Sequence, residues 1–136
     1  MVESRKSTID SEWTVFIFDE ADDSSPKLLF EVYGVAFADL KSKSIFIDDT
    51  AVLSQNQILA IEAHEIAHGR LDHENRDIDQ ITQEKEADWL AHKILTEMSL
   101  VTPAQIISDR YSNHYDEDIS SQNERMFTIL GTVLVK

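Results

Sequence analysis

Ser54-Gln55-Asn56-Gln57-Ile58-Leu59-Ala60-Ile61-Glu62-Ala63-His64-Glu65-Ile66-Ala67-His68 is the stretch on which the reading of this chain turns. Ser54 and Gln57 form an S-x-x-Q capping box, in which two side chains take up backbone N–H groups that a helix start leaves unpaired. Ile58, Leu59, Ile61, Ala63, Ile66 and Ala67 surround much of the axis, which predicts a helix buried inside a domain rather than resting on it. Gly69 is the expected stop. His64 and His68 lie four residues apart and so project from one face. Two histidines and a glutamate in so apolar a helix need partners, because unpaired buried polar groups are costly. A metal ion would satisfy them.

The pentapeptide His64-Glu65-Ile66-Ala67-His68 matches the H-E-x-x-H pattern of zinc hydrolases. Its spacing brings two imidazoles to one tetrahedral metal, and its glutamate flanks the site as a general base toward water. The chain has no cysteine, so zinc would be held by histidine and carboxylate. A catalytic zinc takes three protein ligands and leaves one position open, so a third ligand is required.

The second helix, expected over Ile81 to Met98, supplies it. At ~100° per residue, Ala87, Leu90, Ala91, Ile94, Leu95 and Met98 form one apolar stripe. Glu84 falls within that stripe and Asp88 at its edge. Lys85, Glu86, Lys93 and Glu97 point away, so Glu86 is expected to be an ordinary surface residue. Glu84 is therefore the third ligand, and Asp88 accepts a hydrogen bond from a ligand histidine and fixes its tautomer. Glu65 is the base. One Zn2+ per chain follows, on His64, His68 and Glu84.

Trp13 to Phe18 and Ser44 to Asp48 are rich in β-formers, and Leu28 to Asp39 is a further β-like stretch with Gly34 as a bulge. The short link between the last two predicts an antiparallel hairpin. Residues 21–26 and 71–80 are expected loops, and Pro103 begins a third helix reaching Tyr111. The apolar segment 126–135 closes the domain as helix or strand. The expected fold is α+β: a small antiparallel sheet packed on the buried H-E-x-x-H helix and a second ligand-bearing helix, in a zincin-like arrangement. With 136 residues, the chain is expected to be a single domain, 1–136.

The two helical elements together, His64-Glu65-Ile66-Ala67-His68 and Glu84-Lys85-Glu86-Ala87-Asp88-Trp89-Leu90-Ala91, resemble the gluzincin pattern. The longer likeness, over about 44–98, is to the ImmA/IrrE-type metallopeptidases, which also place a short strand like Ile45-Phe46-Ile47-Asp48-Asp49 before the helix. The resemblance implies zinc on His64, His68 and Glu84 with Glu65 as base. It further implies limited cleavage of a protein or peptide substrate, such as a cytosolic transcriptional repressor. The chain departs from that family in three ways: its N-terminus is β-like, asparagine often stands in the family where this chain has Asp88, and the match after Met98 is loose.

His73 misses the third-histidine spacing of metzincins and reads as a surface loop residue. His92 has a surface or packing role. His114, with Tyr111 and Tyr115, is a candidate donor to the developing oxyanion. Trp13 is expected in or beside the sheet, and Trp89 off the apolar stripe.

The net charge of −14 disfavours phosphate backbones, so direct nucleic-acid binding is not expected. No apolar run is long enough to span a bilayer. Met1 to Asp10 is polar and mixed in charge, unlike a secretory signal, and a cytoplasmic location is expected. The oligomeric state stays open. Two other classes remain beside the peptidase: a non-catalytic zinc-stabilised interaction module, and a metal-free regulator in which the motif is incidental.

Overall fold

Val15 and Ile17 alternate with Thr14 and Phe16, as Ile45 and Ile47 do with Ser44 and Phe46, and this period of two sorts the residues onto two faces of a sheet. The computed structural model describes residues 3–19, 29–31, 34–50, 53–122 and 125. Its strands are β1 (Glu3–Lys6), β2 (Thr14–Phe18), β3 (Ala36–Asp39) and β4 (Ser44–Asp48), in the order β1-β2-β4-β3. Val15, Ile45 and Ile47 are fully buried and Ile17 nearly so, in one core with the apolar side chains of the helices. On the other face Phe46 stacks between Phe16 and Phe37, with ring centroids 5.3 and 4.9 Å away.

The fold is α+β, with one correction to the expected sheet. β3 and β4 form the predicted antiparallel hairpin and β1 pairs antiparallel with β2, but β2 runs parallel to β4, so the sheet is mixed. Side-chain alternation specifies which face is buried, and it reads the same in either strand direction. The β-like stretch from Leu28 also shortens. Residues 29–31 are helical, and Gly34, at φ 93°, donates its N–H to the Phe30 carbonyl at 2.8 Å. That glycine ends a helical turn instead of bulging a strand. The expected loop at 21–26 and the closing segment 126–135 lie outside the described residues.

Three helices follow: α1 (Gln55–Arg70), α2 (Gln80–Glu97) and α3 (Val101–Tyr115). The capping box forms as expected. Ser54 Oγ accepts from the Gln57 N–H at 3.1 Å, and Gln57 Oε1 accepts from the Ser54 N–H at 2.7 Å. Asp79 caps α2 through the Thr82 N–H. Helix α1 is central, packing on α2 and α3 and on the strands β3 and β4. Glu62 of α1 is wholly buried and takes a two-pronged hydrogen bond from Arg5 of β1 at 3.0 and 2.9 Å, which ties the first strand to this helix. The described helices include none long and apolar enough to cross a membrane.

Gly69 has a different role from the expected one. Helix α1 continues through it to Arg70. A Cβ at Gly69 would lie 2.5 Å from Cζ2 of Trp13, whose ring is 2% exposed. The glycine admits the indole. Gly69→Ala gains about 1 kcal/mol of helix propensity, but overpacking against a buried ring costs about 1–3 kcal/mol. A lowered melting temperature is expected. A variant melting at or above the parent would show that Trp13 can move aside.

Candidate metal centre

His64 and His68 emerge on one face of α1, toward Glu84 in the first turns of α2. His64 Nε2 lies 2.9 Å from Glu84 Oε2 and 3.1 Å from His68 Nε2, and His68 Nε2 lies 3.3 Å from Glu84 Oε1. Ligand atoms about 2.0–2.1 Å from a tetrahedral ion are separated by roughly 3.3 Å. The cluster of His64, His68 and Glu84 can therefore hold a metal ion with little rearrangement.

The ring nitrogens turned away from this cluster are held by two separate networks. On one side the His64 Nδ1–H donates to Asp88 Oδ1 at 2.8 Å, the contact expected of Asp88. The same oxygen accepts from Arg110 Nη2 of α3, also at 2.8 Å. On the other side His68 Nδ1 lies 2.7 Å from His73 Nδ1, and His73 Nε2 lies 2.9 Å from Glu86 Oε1. Arg76 closes this network with two hydrogen bonds to the Glu86 carboxylate, at 2.8 and 3.1 Å. An ionised carboxylate only accepts, so His73 donates from Nε2 and accepts at Nδ1. His68 then carries its proton on Nδ1, and its Nε2 lone pair is free for a metal. Burial lowers the His73 pKa, which favours the neutral ring this requires.

His73, Glu86 and Arg76 correct two expectations. His73 is buried in a 3-10 turn (His73–Asn75), not exposed on a loop, and Glu86 is buried, not solvated. Six successive residues of α2, from Glu86 to Ala91, are buried, so the helix is enclosed on several sides and a single-stripe reading misplaces Glu86. The clue in the sequence was His73, Arg76 and Glu86 themselves, three complementary polar groups close in the chain. Glu86→Gln removes the charge that holds Arg76 and His73. A loss of about 1–3 kcal/mol is expected from this buried network, measurable by denaturant unfolding of the metal-free protein. A variant as stable as the parent would show the network to be energetically idle.

Electrostatics at the three donors reflect their crowding. Burial of the His64 ring works against its charge, but hydrogen bonds to Asp88 and Glu84 outweigh it and raise the pKa to about 9. Burial would raise the Glu84 pKa, yet the hydrogen bond from His64 and the closeness of the two imidazoles hold it far below the usual carboxylate range. Glu65 is displaced the other way. Burial raises its carboxyl pKa, against the pull of His64 and His68.

These groups open onto a cleft of about 1120 Å³, larger than the ~300–1,000 Å³ of most small-molecule sites. Glu65, His64, His68 and Glu84 line it together with residues 35–40, which include β3. The three expected oxyanion donors, Tyr111, Tyr115 and His114, sit at the end of α3. Tyr111 is fully buried, its hydroxyl accepting from Trp89 Nε1 and donating to Glu117. Tyr115 packs against Tyr111 and under the Lys85 ammonium, and His114 is exposed beside it. None of them lines the cleft among the described residues; Arg110, which the sequence reading passed over, does.

No family model, curated protein or solved structure matches the chain. The chemistry of the centre therefore rests on its own geometry: two imidazoles and a carboxylate converging at 2.9–3.3 Å, with a further carboxylate alongside.

Proposed function

We propose that this chain is a zinc-dependent peptidase, similar in its motifs to the ImmA/IrrE type. The reading is carried by the convergence of His64 Nε2, His68 Nε2 and the Glu84 carboxylate beside Glu65 in an open cleft. Two imidazoles and one carboxylate suit zinc. Bound there, zinc would supply Lewis acidity, polarising a substrate carbonyl and making water more acidic. The rest of the chemistry belongs to the chain. Glu65 takes the proton of the attacking water and passes it to the amine that leaves. Burial raises its carboxyl pKa, the direction that suits a group that must both take and give a proton. Asp88 and His73 hold the two imidazoles in the tautomers that present Nε2.

The cleft also suits an extended substrate. β3 is the edge of the described sheet and lines the cleft. An edge strand offers unpaired backbone groups, so a peptide laid along it can add a strand beside the three donors. The reading is tested by loading the protein with one zinc and incubating it with a library of unfolded peptides. Mass spectrometry should find fragments that vanish with a chelator and return with zinc. A protein that binds zinc one to one and cuts nothing in the library would instead be a zinc-stabilised interaction module.

A further inference from the structure

Hydrolysis of a peptide bond builds negative charge on the carbonyl oxygen. Water adds to the carbonyl carbon while Glu65 takes its proton, and the carbonyl electron pair moves onto oxygen. The C–N bond then breaks as that oxygen re-forms its double bond and the amine nitrogen receives the proton. Of the tyrosine and histidine candidates for stabilising the intermediate oxyanion, none lines the cleft among the described residues. The lining of the cleft is itself acidic, with Glu65 and Glu84 beside the reacting position. A compensating donor is needed there.

We propose that Arg110 is that donor, a catalytic residue that hydrogen-bonds the carbonyl oxygen of the substrate as it becomes an oxyanion. The inference rests on the peptidase reading and extends it to a residue that reading does not use. Three observations carry it. First, Arg110 is the one lysine or arginine among the described residues lining the cleft, where it joins His64, Glu65 and Glu84. Second, it is anchored. Its Nη2 donates to Asp88 Oδ1 at 2.8 Å, the oxygen that also receives the His64 Nδ1–H, so the guanidinium is fixed relative to a metal ligand. Nη2 lies 3.3 Å from His64 Nδ1, a contact between two donors sharing one acceptor. Third, its donors are not consumed. A guanidinium has five N–H groups, its side chain is 55% exposed, and Asp88 is its hydrogen-bond acceptor among the described residues. A residue placed only to neutralise the 4%-exposed Asp88 has no need to reach into the cleft.

The test uses two inhibitors built on the same apolar dipeptide, measured against the zinc-loaded protein. A phosphonamidate carries a tetrahedral anionic group that mimics the attacked carbonyl. A thiol analogue can bind the zinc through sulfur and has no oxygen in the oxyanion position. Arg110→Gln is expected to weaken the phosphonamidate by about 100-fold, the scale of losing one oxyanion donor. The thiol and zinc affinities should change far less, and Arg110→Lys should recover part of the loss. Equal weakening of both inhibitors, or a parallel fall in zinc affinity, would overturn the inference and leave Arg110 as a support for Asp88 and His64. Unchanged phosphonamidate affinity would also overturn it. If neither compound binds the zinc-loaded parent, the peptidase reading itself fails, a result distinct from failure at Arg110 alone.

Discussion

Glu65→Gln is expected to remove peptide cleavage by about 100- to 10,000-fold, the usual scale of a lost general base, while zinc stays bound one to one. The expectation follows from position. Glu65 stands between two of the three metal donors in sequence but is not one of the converging group, which consists of His64, His68 and Glu84. The amide keeps the shape of the carboxylate and so keeps the packing of a half-buried side chain. What it lacks is a site to take a proton from water. Zinc content, melting temperature and fragment yield should be measured on the same preparation. Cleavage surviving in the variant would place the base elsewhere. Loss of zinc together with cleavage would make Glu65 a ligand and require the cluster to be redrawn. A parent and variant that both bind zinc and both fail to cut would favour the interaction module.

Zinc affinity is expected to rise about 100-fold between pH 6 and pH 8, because binding must expel one proton from His64. In the metal-free protein His64 donates from both ring nitrogens, to Asp88 at 2.8 Å and Glu84 at 2.9 Å, with its pKa raised to about 9. A metal on Nε2 replaces the proton given to Glu84. Below about pH 9 each binding event therefore releases that proton, and the logarithm of the affinity climbs by one per pH unit. The sign for stability is the reverse. The folded pKa of His64 exceeds the ordinary value of 6.5, so its contribution to the metal-free fold is complete below pH 6.5 and disappears as pH rises through about 9. That contribution is a few kcal/mol at about 1.4 kcal/mol per pKa unit. The metal-free protein should melt progressively lower over this window. Competition titrations with a chelator of known pH dependence would measure the affinity slope. A flat slope would mean that His64 is already neutral, with no second proton held between Nε2 and Glu84.

The parts of the site legible beforehand are those governed by helix phase and local capping. Ser54 and Gln57 announce the start of α1, and four-residue spacing alone puts His64 and His68 on one face. Helix phase likewise points to Glu84 and Asp88 on α2, and the structure brings both to the histidines. It failed at Glu86, two residues from Glu84, because α2 is enclosed by more than one neighbour and a helix so placed has no single buried stripe. It failed at Gly69 for a related reason. A stop signal and a close approach call for the same small residue, and only the position of Trp13 distinguishes them.

Local chemistry within about a turn of helix thus set the residue types able to hold a metal, their spacing and the start of the helix that carries them. These depend on backbone geometry that is the same wherever the helix sits. Contacts between residues far apart in the chain decided the rest. Alternation in β2 and β4 is symmetric to strand direction, so their parallel pairing is written in neither strand and emerges only in the assembled sheet. Arg110 reaches Asp88 from a different helix, and the tyrosine beside it points into the core instead, a difference of one residue that depends on how α3 packs on α2. Burial and pairing across such distances reflect the free energy of the whole packed assembly, which no short window of sequence contains.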